Sequence, residues 1–406
     1  MINKQKKEPV IRFNGFTDTW EQRKLGEVSD IIGGGTPSTS NPEFWDGDID
    51  WYAPAEIGQK IFVNNSLKKI TELGLEKSSA KILPIGTILF TSRAGIGNTA
   101  ILSKEGTTNQ GFQSIVPKYK ILDSYFIFSR TKELKRYGEV TGAGSTFIEV
   151  SGKQMAKMLI SIPRIEEQIK IGNFFKQLDE TITLQEHELL LLKEQKKSLL
   201  QKMFPKKGSK VPEMRFAEFT DDWEQHELGD YIIQFNEVTT ENNQHPVFTS
   251  SRRGLFFQKD YYEGNQIASE NNIGYNIVPR GYFTYRHMSD DLVFKFNINN
   301  LADYGIVSTL YPVFTTTEKM DSNYLQYHLN EGEEFRRFSI LQKQGGSRTY
   351  MYLSKLKCLN LTVPIIEEQR MISSFFKQLD DTITLQESKL ETLKNMKKSF
   401  LQKMFV

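Results

Sequence analysis

Residues 165–204, IEEQIKIGNFFKQLDETITLQEHELLLLKEQKKSLLQKMF, return at 366–405 as IEEQRMISSFFKQLDDTITLQESKLETLKNMKKSFLQKMF, with 28 of 40 positions identical. A repeat of that fidelity decides the architecture before any local reading, because the chain must build the same element twice. A shorter copy accompanies it. Arg12-Phe13, Phe16-Thr17-Asp18, Trp20-Glu21-Gln22 and Leu25-Gly26 recur as Arg215-Phe216, Phe219-Thr220-Asp221, Trp223-Glu224-Gln225 and Leu228-Gly229. The stretches between the copies, about 23–163 and 226–364, share little beyond a Gly-rich patch, Gly142-Ala143-Gly144-Ser145-Thr146 against Gly345-Gly346-Ser347-Arg348-Thr349. The chain therefore reads as frame, insert, frame, insert, frame.

The frame is helical. Leu178, Ile182, Gln185, Leu189, Leu192, Lys196, Leu199 and Met203 are spaced alternately four and three, the signature of a coiled-coil seam, and Leu379, Ile383, Gln386, Leu390, Leu393, Lys397, Phe400 and Met404 repeat it. Each helix begins just after a proline, Pro163 or Pro364, and ends in basic residues that suit the C-terminal dipole. At 1.5 Å per residue such a run is on the order of 60 Å long, more than either insert needs for its own core, so it requires a partner seam. The simplest partner is the other copy, paired antiparallel and giving a pseudo-twofold axis; the alternative is that each helix lines its own domain. Polar residues at Gln185, Lys196, Gln386 and Lys397 weaken a dry seam and help fix its register, or mark helix meant to touch another protein.

The predicted fold class is α+β, with two mixed α/β globular domains at 1–163 and 207–364 and coiled-coil helices at 164–206 and 365–406. A chain of 406 residues exceeds what one core serves, and 38% hydrophobic with 25% charged residues describes an ordinary folded protein. The net charge of +2 neither demands nor excludes nucleic acid. A lone cysteine, Cys358, excludes an intramolecular disulfide and any all-cysteine zinc site, and fits a reducing cytoplasm. The Lys-rich start, Met1 to Val10, has no apolar run, and no stretch of about 18 apolar residues occurs, so neither export nor membrane insertion is expected.

In the first insert, Ile31-Ile32, Ile82-Leu83, Thr87-Ile88-Leu89-Phe90 and Ile115-Val116 read as short strands. In the second, Tyr282 to Tyr285, Leu292 to Phe296 and Ile306 to Tyr311 do the same, with helices expected at Ser124 to Tyr137 and Ser322 to Phe338. Gly33-Gly34-Gly35 invites a phosphate-loop reading, yet the Lys-Ser or Lys-Thr that would reach phosphate and magnesium is missing. A turn presenting Thr36, Ser38 and Thr39 to a ligand, or a purely structural turn, fits better. The five histidines are scattered without metal-ligand spacing, and no serine sits in a GxSxG elbow, so no catalytic residue and no metal site are assigned. The strand ends are polar and basic. Ser92 and Arg93 in the first insert, and Arg252, Arg253, Tyr285, Arg286, His287 and Arg348 in the second, join Thr36 and Ser38 as candidate DNA contacts. Arg bridges two acceptors on a guanine edge or neutralises a phosphate, while Ser and Thr contact bases or backbone; a solvated loop is the alternative for each of these residues.

The pattern Ile162-Pro163, Glu166-Glu167-Gln168, Ile171, Phe174-Phe175, Leu178-Asp179, Ile182, with its copy from Val363-Pro364 to Ile383, resembles the conserved regions of type I restriction-modification specificity subunits. Gly34-Gly35-Thr36-Pro37-Ser38, Phe44-Trp45, Ile49-Asp50-Trp51, Pro84 to Leu89 and Asn109-Gln110-Gly111-Phe112 are similar to one type of target recognition domain in that family. The resemblance implies two target recognition domains, each reading one half of a bipartite DNA site, with the helices as a ruler. It also implies docking of two methylation subunits that carry S-adenosylmethionine, joined by restriction subunits that use ATP and Mg; this chain itself would bind no cofactor. The second insert lacks the Gly-Gly-Thr-Pro and Asn-Gln-Gly-Phe motifs, so it should read a different sequence. A coiled-coil scaffold that binds protein partners without DNA specificity is the alternative.

Overall fold

Pro163 and Pro364 close two short strands, Leu159–Ile162 and Asn360–Val363, and two residues later the long helices Ile165–Lys202 and Ile366–Lys403 begin. Proline has no N–H to lose at such a boundary, and Glu166, Glu167, Glu367 and Glu368 place negative charge on the positive end of each helix dipole. The computed structural model describes residues 8–93, 95–143, 149–206, 208–264, 271–343 and 348–406. All eight positions of the four-three pattern on each helix are buried or half-buried. Between Ile182 and Lys196, and between Ile383 and Lys397, every residue off the pattern is exposed.

The chain divides into two compact units, and neither ends at the prolines. The first comprises Met1–Glu186 and Ser388–Val406, the second His187–Glu387. Each unit thus contains the front half of one long helix and the back half of the other. In the first, Phe174 meets Phe400 edge to face at 5.1 Å, Lys397 binds Asp179, and Lys394 meets Glu186 at 2.7 Å. As the first number rises the second falls, so the two segments run antiparallel. In the second unit the order repeats: Lys193 with Glu387 at 2.6 Å, Lys196 with Asp380, and Phe204 stacked on Phe376 at 6.4 Å.

The frame motifs hold these segments in place by the same bonds twice. Glu167, 1% exposed, takes Nε and Nη2 of Arg12 at 2.7 and 2.8 Å, and Glu368 takes the same two atoms of Arg215, both at 2.7 Å. Gln168 clamps backbone from two segments: its Nε2 donates to the Pro163 and Ile121 carbonyls and its Oε1 accepts from Asp123 N. Gln369 does so with Pro364, Lys319 and Asp321. Tyr125 Oη donates to Asp179 at 2.8 Å and Tyr327 Oη to Asp380 at 2.7 Å. The strand Glu21–Lys24 pairs antiparallel with Leu159–Ile162, and Glu224–Glu227 with Asn360–Val363, behind the buried Trp20 and Trp223.

The inserts fill these frames differently. The first carries a five-stranded sheet ordered Ser29–Gly33, Gln113–Pro117, Ile88–Phe90, Thr99–Leu102, Phe62–Val63, beside a three-stranded sheet centred on Trp45–Tyr52. The second carries a four-stranded sheet ordered Ile232–Phe235, Val313–Thr316, Phe283–Thr284, Asn297–Ile298, with smaller pairs around it. The expected helices divide into Ser124–Ser129 with Thr131–Gly142, and Ser322–Glu331 with Glu333–Leu341. Two strand expectations are corrected. Leu83 makes only an isolated bridge to Gly106, and Leu292 to Phe296 is irregular because Leu292 turns the chain at φ 68. The Gly-rich patches lie largely outside the described residues, as does most of the Lys-rich start. Among the described residues no helix is long and apolar enough to cross a membrane.

Candidate nucleic-acid interface

In the first unit the triple glycine is a packing device. A Cβ on Gly34 would lie 2.0 Å from the Asn109 carbonyl and one on Gly35 2.3 Å from Ala80 N. Gly35 N donates to Thr108 O, and Trp51 Nε1 donates back to Gly35 O, each at 2.8 Å. Absence of side chains lets this segment lie directly on the Thr108–Asn109 backbone. Thr36, half-buried, then donates to Oε1 of the exposed Gln110. Asn109 Oδ1 accepts from Gly111 N at 2.7 Å, closing a tight turn beside Arg93: a Cβ on Gly111 would sit 3.5 Å from Arg93 Nε. The Gly-Gly-Thr-Pro and Asn-Gln-Gly-Phe motifs and Arg93 therefore converge. Arg93 is half-buried, and among the described residues no carboxylate pairs with it. Ser38 stands apart, exposed, its hydroxyl 2.8 Å from that of Ser40.

Ser92 is corrected as a side-chain contact. It is fully buried, its N donating to Gly111 O and its carbonyl accepting from Val150 N, so it serves as the floor of the turn. Tyr285 is corrected likewise. It is 0% exposed, packs on Phe296 at 4.6 Å and donates to the Met351 carbonyl at 2.8 Å, and burial pushes its phenol far above the usual range. His287 is 8% exposed, its Nδ1 donating to Leu310 O, and it stacks on Tyr352 at 5.0 Å.

The other arginines of the second unit are at the surface. The short strands Met288–Ser289 and Thr349–Tyr350 pair antiparallel, which sets Asp290 beside Arg348. Asp291 is gripped by Nη1 and Nη2 of Arg252 at 2.8 and 2.5 Å, and Arg348 Nε meets Asp290 at 3.0 Å. Arg253 lies over the Tyr261 ring at 4.7 Å, and its hydrogen bond holds that phenol below its usual range. Arg286 is exposed and forms no ion pair among the described residues. Tyr350 and Tyr352, 39% and 49% exposed, follow Arg348 closely in the chain and stack at 5.9 Å. Sequence reasoning passed over Gln110, Asp290, Asp291 and the two tyrosines. The signal available was proximity in sequence, since Ser289-Asp290-Asp291 follows Tyr285-Arg286-His287 with Met288 between them. Among the described residues no group of three His, Cys, Asp or Glu side chains is arranged to hold a metal ion.

Comparison with known proteins bears on this arrangement. Residues 17–194 and 221–395 match the family described as the type I restriction modification DNA specificity domain. The MjaIX specificity subunit of a type I restriction enzyme from Methanocaldococcus jannaschii is 37% identical over 166 residues, 40% of this chain and 38% of that protein. A type I restriction enzyme specificity subunit from Escherichia coli is 32% identical over 167 residues, covering 39% and 41%. These matches therefore span about two fifths of either relative. The MjaVIII specificity subunit from Methanocaldococcus jannaschii is 21% identical over 95% of this chain and 91% of its own length. Among solved structures, the type I restriction-modification S subunit from M. genitalium has a TM-score of 0.59 at 12% identity, covering 98% of this chain and 99% of that one, a likeness of fold. With the matched segments together covering most of its length, one over each frame and insert, the chain belongs to the type I restriction modification DNA specificity domain family.

Proposed function

We propose that this chain is the specificity subunit of a type I restriction-modification assembly, cytoplasmic and non-catalytic by itself. Each insert reads one half of a bipartite, asymmetric site in duplex DNA, and the paired long helices act as the ruler that sets the spacer. The same helices dock two methylation subunits, whose cofactor is S-adenosylmethionine, and restriction subunits that use ATP and Mg complete the assembly. The observation that carries the reading is one frame built twice, by Arg12–Glu167 and Arg215–Glu368 and their companion bonds, around two inserts of unlike sheet order. A duplicated support for two different surfaces suits a ligand with two different halves. Exposed or half-exposed Arg93 and Arg286, without carboxylate partners among the described residues, suit phosphate or guanine.

The test is selection from a random duplex library by the chain together with its methylation partner. A split motif should emerge, with affinity falling steeply as salt rises. A single uninterrupted motif would refute the two-reader design, and no duplex enrichment would favour a protein scaffold.

A further inference from the structure

Asp291 is half exposed yet held from four directions. Besides the two Arg252 nitrogens, its Oδ1 accepts from Ser289 Oγ at 3.0 Å and Val293 N at 3.3 Å. The next residue, Leu292, sits in the left-handed region at φ 68, which a branched side chain adopts at a cost. Exposed ion pairs add little to stability, so this much fixation on an open surface is not explained by folding. Its neighbour Asp290 holds a second arginine, Arg348, which arrives from the paired strand 58 residues later.

The two grips differ in a way that matters chemically. Asp291 occupies the Nη end of the Arg252 guanidinium, and among the described residues nothing fills its Nε–H side edge. Asp290 occupies Nε of Arg348, and among the described residues nothing fills the Nη end. A guanidinium has five donors in a fixed plane, and a guanine presents two acceptors, O6 and N7, to two adjacent donors. An arginine anchored by one edge therefore offers the other in a set direction, with its side-chain freedom already removed.

We propose that Asp290 and Asp291 are positioning residues for base reading by the second insert. They aim Arg348 and Arg252 at guanine edges in the half-site that this insert reads. The proposal rests on the DNA-reading function above and goes beyond it by assigning specificity to two acidic residues that would repel a phosphate. Tyr350 and Tyr352, close after Arg348 in the chain, supply an apolar wall against which a base-pair edge or thymine methyl can rest.

The experiment is selection from a random duplex library by the full chain with its methylation partner, unsubstituted and as Asp291→Asn, Asp290→Asn and Arg252→Ala. Asp291→Asn should blunt preference at the same base pair as Arg252→Ala, with discrimination falling by about 5- to 150-fold, the range for one bidentate contact. The other half-site should stay sharp, and so should the remaining positions of this half-site, which certifies that the second insert is folded. Binding to non-specific duplex and its salt slope should be unchanged. An unaltered motif would overturn the proposal, and so would a uniform gain of affinity for every duplex, because the aspartates would then only repel phosphate. If the unsubstituted assembly selects no motif, the DNA-reading function itself fails and this proposal falls with it.

Discussion

Glu167→Ala should cost the first unit a large part of its stability. The Glu167 carboxylate is 1% exposed and receives two hydrogen bonds from Arg12, whose side chain is itself 14% exposed. Truncation leaves that largely buried guanidinium without its counter-charge and, among the described residues, with the Asp18 carbonyl at 2.6 Å as its remaining hydrogen-bond acceptor. Removing one member of a buried pair typically costs about 3–5 kcal/mol, because the survivor keeps its desolvation penalty and loses its counter-charge. In a unit of roughly 200 residues each kcal/mol moves Tm by about 2–4 °C, so a fall of about 6–20 °C is expected. Calorimetry of the full chain measures it. Arg12→Met combined with Glu167→Leu should recover most of the loss, since no unpaired charge remains. Glu368→Ala should produce a loss of the same size in the second unit, where Arg215 is 15% exposed. A loss below about 1 kcal/mol for Glu167→Ala would refute the reasoning, for that is the range of a solvated surface pair.

Three further outcomes are expected. Tyr285→Phe orphans the Met351 carbonyl in the core and should destabilise the second unit by about 1–3 kcal/mol while leaving the methylated motif unchanged; an altered motif would restore Tyr285 as a DNA contact. Gly34→Ala forces a Cβ onto the Asn109 carbonyl and should cost about 1–3 kcal/mol and blur only the half-site read by the first insert, as seen by methylome mapping. The third concerns acid. Burial pushes the Asp50 carboxyl up, but Lys104 and the two Ser66 hydrogen bonds outweigh it and hold it below the usual range. A depressed folded value means stability that is complete above the unfolded value of about 3.9 and is lost as pH falls through the folded one. The advantage of the natural chain over Asp50→Asn should thus be constant above about pH 5 and shrink below about pH 4; a difference that grows in acid would contradict this.

The frame was legible because it is written twice and because its helices carry a four-three pattern that survives in the burial of every seam position. What the pattern could not convey was the work of its polar residues. Glu167 and Gln168 stand out in the repeat, but their partners Arg12 and Asp123 lie 155 and 45 residues away. Nor does the pattern say where a compact unit ends, and each unit takes half of each helix. The interface was less legible. Ser92 and Tyr285 lie just past the ends of strands too short for alternation to reveal which side faces inward, and both face in. Gln110 stood within a recognised motif without being singled out, since only the approach of Thr36 gives it a role. Asp290 and Asp291 carry the sign opposite to that sought in a DNA contact, so reasoning from charge passed over them.

The last nineteen residues belong to the first unit, where Phe405 packs on Trp20, Phe126 and Phe175, while the second unit is one uninterrupted stretch. On a ribosome, then, the segment made first waits longest: its closing helix emerges only after the whole of the second unit has been translated. A stop or frameshift in the codons for residues 388–406 should injure the first unit and spare the second.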